Sequence, residues 1–183
     1  MSPTSIRRRA SKRDVRIAKL LFVPTTIGAL VVSSDSSVVA GSATANLQVT
    51  AAVSANCTIT TATVAFPAYD PIIANASAND DGTGTVTIAC TKGTVATIGL
   101  GLGANALVSQ RRMKDAGTDY LNYALYLDSA RTTIWGTTSP NLLTPVAAPD
   151  KTPRAFTVYG RIPSGQDIPA GAYTDTVVAT VNF

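Results

Sequence analysis

The residue types that most often carry chemistry are scarce in this chain. It contains neither His nor Glu, so all eleven acidic residues are aspartates. A Ser-His-Asp triad needs an imidazole as its base, and glutamate pairs are equally excluded from general acid–base catalysis. We therefore expect no enzyme and no cofactor.

Adjacent carboxylates occur at Asp80 and Asp81, within the run Asn79-Asp80-Asp81-Gly82-Thr83-Gly84. A calcium site is one interpretation, but the ligand spacing of a known calcium loop is missing. Asn, Asp and Gly are the residues that favour turns. The run therefore predicts a solvated turn, and we expect no metal site.

A second glycine-rich run, Gly99 to Gly103, superficially resembles a phosphate-binding loop. It lacks the following Lys-Ser or Lys-Thr and the helix start that such a loop needs. Its glycines alternate with leucines, which instead favours a strand or bulge that faces a close neighbour.

Two further features allow a binding hypothesis. Arg111, Arg112 and Lys114 could receive an acidic ligand, but Asp115 and Asp119 follow closely, which favours a solvated loop. Trp135, the only tryptophan, could stack on a sugar ring, although single tryptophans more often pack in or beside a core.

The first 45 residues have the order of a secretory signal peptide. Seven Lys and Arg residues lie between Arg7 and Lys19, and the uncharged stretch from Leu20 to Val32 follows. That stretch is shorter than the roughly 20 residues of a membrane span, and Ala43-Thr44-Ala45 resembles a cleavage site. We predict a signal peptide over residues 1–45, with a retained membrane anchor as the alternative.

Removing the leader changes the charge balance. Residues 46–183 contain 8 basic and 9 acidic residues, a net charge of −1. The sequence pI of about 9.3 therefore reflects the leader. Because nucleic-acid binding needs a clustered basic surface, we expect no nucleic-acid partner, and no membrane insertion of the mature chain.

Both cysteines, Cys57 and Cys90, lie in the mature part. An even pair in an exported protein indicates a disulfide. A bond closing a loop of about 30 residues is worth roughly 3–4 kcal/mol in the chain-entropy model.

The mature chain is rich in β-branched residues and in turn residues, which predicts an all-β domain. Six strands are expected to belong to the domain itself. They are residues 58–66, 85–90, 95–102, 121–127, 155–162 and 173–183. Regularly spaced short strands in a chain of this size suggest an immunoglobulin-like sandwich.

A further strand pattern opens the mature chain. Between Asn46 and Cys57 the apolar residues alternate with small or polar ones, as in a strand with one apolar face; they are Leu47, Val49, Ala51, Val53 and Ala55. A terminal strand needs a sheet to enter. The last predicted strand, Tyr173 to Phe183, likewise needs a partner from elsewhere in the sequence or from another molecule.

An ordered set of motifs carries a family resemblance. It comprises Cys57, Phe66-Pro67-Ala68-Tyr69-Asp70-Pro71, residues 86–93, Arg112-Met113, residues 121–128, Trp135-Gly136, residues 159–163 and residues 170–175. In order and spacing it resembles the spore coat protein U domain family, which includes the subunits of archaic, Csu-type chaperone–usher pili. Pro67 departs from the Gly expected after the Phe, which affects the local turn.

The resemblance implies a six-stranded, incomplete immunoglobulin-like β-sandwich that lacks its final strand and is completed by a donor strand. Residues 46–55 would be the donor segment and residues 56–183 the pilin domain. Leu47, Val49, Ala51 and Val53 would fill the groove of a neighbouring subunit. The groove would lie beside the edge strand that carries Tyr173, Val177, Ala179, Val181 and Phe183, and Cys57 and Cys90 match the family's disulfide.

The implied function is an exported structural pilus subunit, supporting surface attachment and biofilm formation. Its partners would be identical or related subunits, a periplasmic chaperone and an outer-membrane usher, on a route through the periplasm to the cell surface. One alternative is a tip adhesin that binds glycans through Trp135 and the loop Arg111 to Lys114. The other is a spore-coat or cell-coat protein of the same fold.

Overall fold

The computed structural model describes residues 39–183, and within that range the protein is all-β, without helices. The chain divides into two units, Met1–Gln48 and Val49–Phe183. Residues 39–48 of the first unit have no assigned secondary structure and are exposed. Most of the predicted signal peptide lies outside the described residues. Residues 39–183 contain no helix able to span a membrane.

Seven strands lie between residues 49 and 183. They are β1 (Cys57–Ala65), β2 (Asp80–Cys90), β3 (Thr97–Leu100), β4 (Arg111–Lys114), β5 (Tyr120–Tyr126), β6 (Arg154–Ile162) and β7 (Ala179–Asn182). A five-stranded antiparallel sheet has the order β1-β2-β6-β5-β4, and β3 and β7 form a second, two-stranded sheet.

Each of the six strands predicted for the domain coincides with an observed strand, but three details of the prediction were wrong. Arg111–Lys114 is strand β4 and not a loop. Asp80 to Gly84 is the first half of β2 and not a solvated turn. The last predicted strand is shorter, since only Ala179–Asn182 is a regular strand, although the preceding residues still hydrogen-bond to Gly101, Ala104 and Lys114.

The core follows the period-2 alternation of the strands. Both sheets contribute to one buried cluster: Val86, Ile88, Cys90, Ala96, Ile98, Leu100, Leu121, Tyr123, Leu125, Trp135, Ala148, Val158 and Ile162. In β1 the alternation changes phase at an irregularity between Ala62 and Ala65. Ile59 packs inward before this point, and Val64 and Phe66 pack inward after it.

The predicted disulfide joins Cys57 and Cys90, which lie opposite each other on β1 and β2. We expect the double substitution Cys57→Ser, Cys90→Ser to lower the free energy of unfolding by roughly 3–4 kcal/mol, because the unfolded chain regains the entropy of an open loop. Denaturant unfolding of the reduced and oxidised wild-type protein provides the matching comparison. A difference below about 1 kcal/mol in both comparisons would contradict a stabilising role.

Asp80 occupies an unfavourable position for a charge. It is buried at the start of β2, and its Oδ2 has no hydrogen-bond partner within the described residues. Burial, followed by the negative charge of Asp81, raises the pKa of Asp80 above its ordinary value of 3.8. Ionisation of Asp80 therefore opposes folding at neutral pH.

The pH dependence of stability should reveal this penalty. Because the folded-state pKa of Asp80 is raised, its favourable contribution is complete below the unfolded pKa and is lost as the pH rises through the folded value. We expect wild type to gain stability relative to Asp80→Asn between about pH 7 and about pH 4, measured by denaturant unfolding.

Asp128 is the matched control. Backbone N–H groups of Thr133 and Thr132 donate to its carboxylate and lower its pKa. Relative to Asp128→Asn, wild type should therefore keep most of its advantage between about pH 7 and about pH 4, and lose it below the ordinary pKa of 3.8, as the pH falls through the lowered folded-state value. Identical pH profiles for the Asp80 and Asp128 variants would contradict both assignments.

Candidate functional site

The opening segment carries its apolar side chains without burying them. Residues 46–56 have no assigned strand, and their hydrogen bonds to the rest of the domain are those of Ser54 and Asn56 with Thr91, the residue that follows β2. Leu47 is 88% exposed, and Val49 and Val53 are each 85% exposed. The predicted strand pattern is thus present in a segment that neither sheet of residues 39–183 has incorporated.

Thr91 marks where the segment joins the domain. The N–H of Asn56 donates to Oγ1 of Thr91 (3.1 Å), and the N–H of Thr91 donates to the carbonyl of Asn56 (2.9 Å). The Thr91 hydroxyl also lies 3.4 Å from the carbonyl of Ser54. The β1–β2 pairing therefore continues a little beyond the disulfide, and the apolar segment ends at Val53.

Among the described residues, the outer edges of β1 and β7 have neither a partner strand nor a β-bridge, whereas Leu143 bridges the outer edge of β3 and Thr174 that of β4. β1 is the last strand of the five-stranded sheet, and β7 pairs with β3 alone. Before β7, the carbonyls of Thr174, Thr176 and Val178 accept hydrogen bonds from residues on the β3 and β4 side. Because backbone groups alternate in direction along an extended chain, those of Val177 and Ala179 point the other way, towards the open edge.

A groove lined by both apolar and polar side chains runs along these edges. Its first part has a volume of about 370 Å³ and is lined by residues 61–64, Phe66, Thr85, Val86, Leu100, Met113, Tyr123, Leu125, Val158, residues 175–177 and Ala179. Its second part, about 470 Å³, is lined by Val64, residues 66–69, Pro71, Met113, Leu121, Ile162, residues 168–171 and Tyr173. Val64, Phe66 and Met113 line both parts, so the two parts of the groove adjoin each other.

Three glycines shape the groove on the side of β1. Gly82 and Gly160 lie opposite each other on β2 and β6. A Cβ atom at Gly160 would lie only 2.6 Å from Cζ of Phe66 and 2.8 Å from Cγ1 of Val64, and a Cβ at Gly84 would lie 2.6 Å from Cγ2 of Val64. The glycines thus let Val64 and Phe66 lie directly on the sheet. Sequence reasoning assigned Gly82 and Gly84 to a turn and missed this role.

The opposite wall is held by a polar network. The hydroxyl of Tyr123 donates to Oδ2 of Asp175 (2.7 Å), and the backbone N–H and the Nδ2 of Asn105 both donate to Oδ1 of Asp175 (3.1 Å each). Burial of the phenol, with the hydrogen bond to Asp175, raises the pKa of Tyr123 well above its usual 10.0. The tyrosine therefore stays a donor, and it fixes Asp175 in the wall of the first part of the groove.

Arg111 also stabilises this wall, through hydrogen bonds to backbone carbonyls. Its guanidinium is buried and donates to the carbonyls of Leu100, Gly101 and Trp135 at 2.7–2.9 Å. Burial lowers its pKa, but every carbonyl contact favours the cation. Arg111 is thus a structural cation that joins the end of β3 to the loop of Trp135, and the sequence-based assignment to a solvated loop was wrong.

The side chains predicted to form the edge of the groove are only partly brought together. Val177 and Ala179 line its first part, and Tyr173 lines its second. Val181 lies opposite Ile98 and packs against the core. Phe183 is exposed and lines neither part.

The structure does not support glycan binding by Trp135 and the residues Arg111 to Lys114. Trp135 is 0% exposed, and its Nε1 donates to the carbonyl of Ile98 (2.9 Å). The guanidinium of Arg112 lies 4.0 Å from the ring centre of Tyr120. Trp135 is therefore a core residue, as the more conservative interpretation predicted, and no aromatic face of it is available to a sugar.

Comparison with known proteins places the chain in a family. The family model of the Spore Coat Protein U domain matches residues 43–180. The chain belongs to the spore coat protein U domain family. A curated relative in this comparison is Protein U of Myxococcus xanthus, 41% identical over 157 residues, which cover 79% of this chain and 87% of the relative.

A solved structure shares the fold of this spore coat protein U domain. It is a chain of the chaperone–tip adhesion subunit pre-assembly complex from archaic chaperone–usher Csu pili of Acinetobacter baumannii. The TM-score is 0.54 at 22% identity, and the match covers 72% of this chain. It covers 40% of the solved chain, so the present protein spans less than half the length of that structural relative.

Proposed function

We propose that this protein is an exported structural subunit that polymerises head to tail by donor-strand complementation. Residues 46–55 of one subunit add a strand to the next, and Leu47, Val49, Ala51 and Val53 enter its groove. The acceptor domain of residues 56–183 is an incomplete immunoglobulin-like sandwich that gains its final strand in this way. Strand addition to an open sheet edge is an established mode of recognition.

The observation that carries the proposal is a match between one exposed segment and one open groove. Leu47 and Val53 are six residues apart, about 20 Å in an extended strand. Tyr173 and Ala179, which line the two parts of the groove, are also six residues apart. A donor strand of this length fills the groove, with alternate side chains directed inward.

The energetics favour such a joint. Each of Leu47, Val49 and Val53 is almost fully exposed, and burying a Val or Leu side chain stabilises by roughly 1.5–3 kcal/mol. Ala51 contributes less because its side chain is small. The strand also pairs the open backbone edge beside Val177 and Ala179, which an exported protein would otherwise expose to aggregation.

A free subunit with an open groove needs protection before it polymerises. We propose that a periplasmic chaperone covers the groove and that an outer-membrane usher directs the exchange of strands at the cell surface, where the fibre supports attachment and biofilm formation. The structural relative was solved in complex with a chaperone, which supports a chaperone as a partner of this chain. The secretory pattern of residues 1–45 supports the route.

Co-expression tests this function. With a cognate chaperone and usher, cells should display fibres whose subunits migrate as a ladder of oligomers on gels run without heating. Omitting the usher should leave chaperone-bound monomers in the periplasm. Monomers with a closed groove and no chaperone dependence would contradict the proposal.

A coat protein that uses the same strand exchange is the second candidate. The 41% identity to Protein U and the match to the Spore Coat Protein U domain favour it. The usher experiment separates the two, because a coat protein would assemble on the cell or spore in a strain that lacks the usher. A tip adhesin is less supported, since Trp135 is buried.

A further inference from the structure

The link between the donor segment and its own domain is very short. Three residues, Ser54 to Asn56, separate Val53 from Cys57, which the disulfide holds against β2. Four residue steps span at most about 14 Å, and Thr91 shortens the reach by holding Asn56. If Val53 lies in the groove of the next subunit, as the proposed function requires, the two domains must touch.

The direction of the chain determines which end of one domain contacts which end of the next. β1 runs from Cys57, where the donor segment leaves the domain, to Ala65 beside the second part of the groove. Suppose that Val53 left the acceptor groove at the Cys57 end of the acceptor. The acceptor's own donor segment leaves from that same end, so the donor subunit, the acceptor and the next acceptor would collide there and the polymer would stop growing. A continuing polymer needs a heterologous contact, so the Cys57 end of one subunit meets the Phe66 and Tyr173 end of the next.

The Tyr173 end of the domain is apolar and acidic. Ile72 and Ile73, each 80% exposed, follow Pro71 of the groove. Asp115 and Asp119 lie beside Tyr173, whose pKa is raised by burial and then by these two charges. Asp167 adjoins Ile168 of the groove and Asp70 precedes Pro71, so these four carboxylates outnumber the two cations of β4, Arg112 and Lys114. Asp81 at the same end is paired with Arg131 and Arg161, and Asp80 is buried.

The Cys57 end is apolar and basic. Lys92 follows Thr91, and the backbone of the next residues pairs with Ala148 (Gly93 N–H to Ala148 carbonyl, 2.7 Å). Lys151 and Arg154 lie nearby, since Arg154 donates to the carbonyl of Val146 at 2.8 Å. Three cations therefore oppose one carboxylate at this end, that of Asp150, and Val95 and Val146 are exposed beside them.

We propose that these two ends form a second contact between successive subunits, in addition to the donor strand on whose existence this inference rests. Ile72 and Ile73 of the acceptor pack against Val95 and Val146 of the donor subunit. The carboxylates of Asp119 and Asp167 face the ammonium groups of Lys92 and Lys151. The partner is a second copy of this chain, and the contact stiffens the fibre at each joint.

Charge reversal with rescue tests the contact in assembled fibres. Lys92→Glu with Lys151→Glu should lower the persistence length measured by electron microscopy, and adding Asp119→Lys with Asp167→Lys should restore it. Wild-type fibres at 1 M salt, where the screening length is about 3 Å, should become more flexible than at low salt, because screening removes the attraction between the two ends. Ile72→Ser with Ile73→Ser should also soften the fibre, whereas Val108→Ser, a change of an equally exposed valine elsewhere, should not.

Oligomer ladders on unheated gels report the donor strand separately. Ladders of wild-type strength together with an unchanged persistence length in both reversed and serine variants would overturn this contact and leave the proposed function intact. Absence of ladders and fibres in wild type would overturn both. Softening that the second reversal fails to rescue would overturn the pairing of these two ends.

Discussion

Fibres should not form from a subunit that carries both Val49→Asp and Val53→Asp. Both valines are 85% exposed in the free chain, so the substitutions leave the domain of residues 56–183 undisturbed. In the joint, however, each carboxylate would enter a groove lined by Val64, Phe66 and Met113, where an unpaired charge costs several kcal/mol. The measurement is electron microscopy of surface fibres, with oligomer ladders on unheated gels.

The alternate residues of the same segment supply the control. Thr50 and Ala52 point away from the groove when Val49 and Val53 point into it. Thr50→Asp with Ala52→Asp adds the same charge and should leave fibre formation largely intact. Disulfide formation and secretion should be normal in both variants. Normal ladders from Val49→Asp, Val53→Asp would contradict the assignment of the donor segment.

The largest loss of stability should follow Trp135→Ala. The indole is completely buried, its Nε1 donates to the carbonyl of Ile98, and its backbone N–H donates to the carbonyl of Leu125 (2.8 Å). Removing a buried tryptophan side chain leaves a cavity and typically costs about 3–5 kcal/mol. It also leaves the Ile98 carbonyl without this donor. Denaturant unfolding of a subunit kept monomeric by Val49→Asp, Val53→Asp measures the loss.

A surface aromatic residue on the same domain is the comparison. Tyr120→Ala removes an exposed ring from beneath Arg112 and should cost less than about 1 kcal/mol. A ligand-binding role for Trp135 predicts the reverse pattern, with lost adhesion at unchanged stability. A Trp135→Ala protein as stable as wild type would contradict its place in the core.

The positions of the strands could be predicted from the sequence because they depend on local alternation, whereas the donor role of residues 46–55 stays a prediction. The apolar period of residues 47–53 stands out against small and polar neighbours, and β2, β5 and β6 bury alternate residues in the expected way. The disulfide followed from two cysteines in a chain with a predicted signal peptide. These features need no knowledge of distant contacts.

Features that depend on tertiary partners could not be predicted. Arg111 lies in a charged run that is typical of a loop, and only the carbonyls of Leu100, Gly101 and Trp135 make its burial favourable. The sequence around Gly82 and Gly84 is typical of a turn. It contains no sign that the distant side chains of Val64 and Phe66 pack against these two glycines. The open groove itself arises where the edges of β1 and β7 meet no third strand of the described residues, which is a property of topology.

Titration of the Val49→Asp, Val53→Asp monomer with a synthetic peptide of residues 46–55 tests the central claim most directly. The donor segments of the other monomers carry the two aspartates and cannot fill the groove. The wild-type peptide should therefore bind with saturation and raise the thermal unfolding midpoint. A peptide with the same two aspartates should do neither. Equal binding of the two peptides, or no effect of the wild-type peptide on a folded monomer, would contradict donor-strand complementation by this chain.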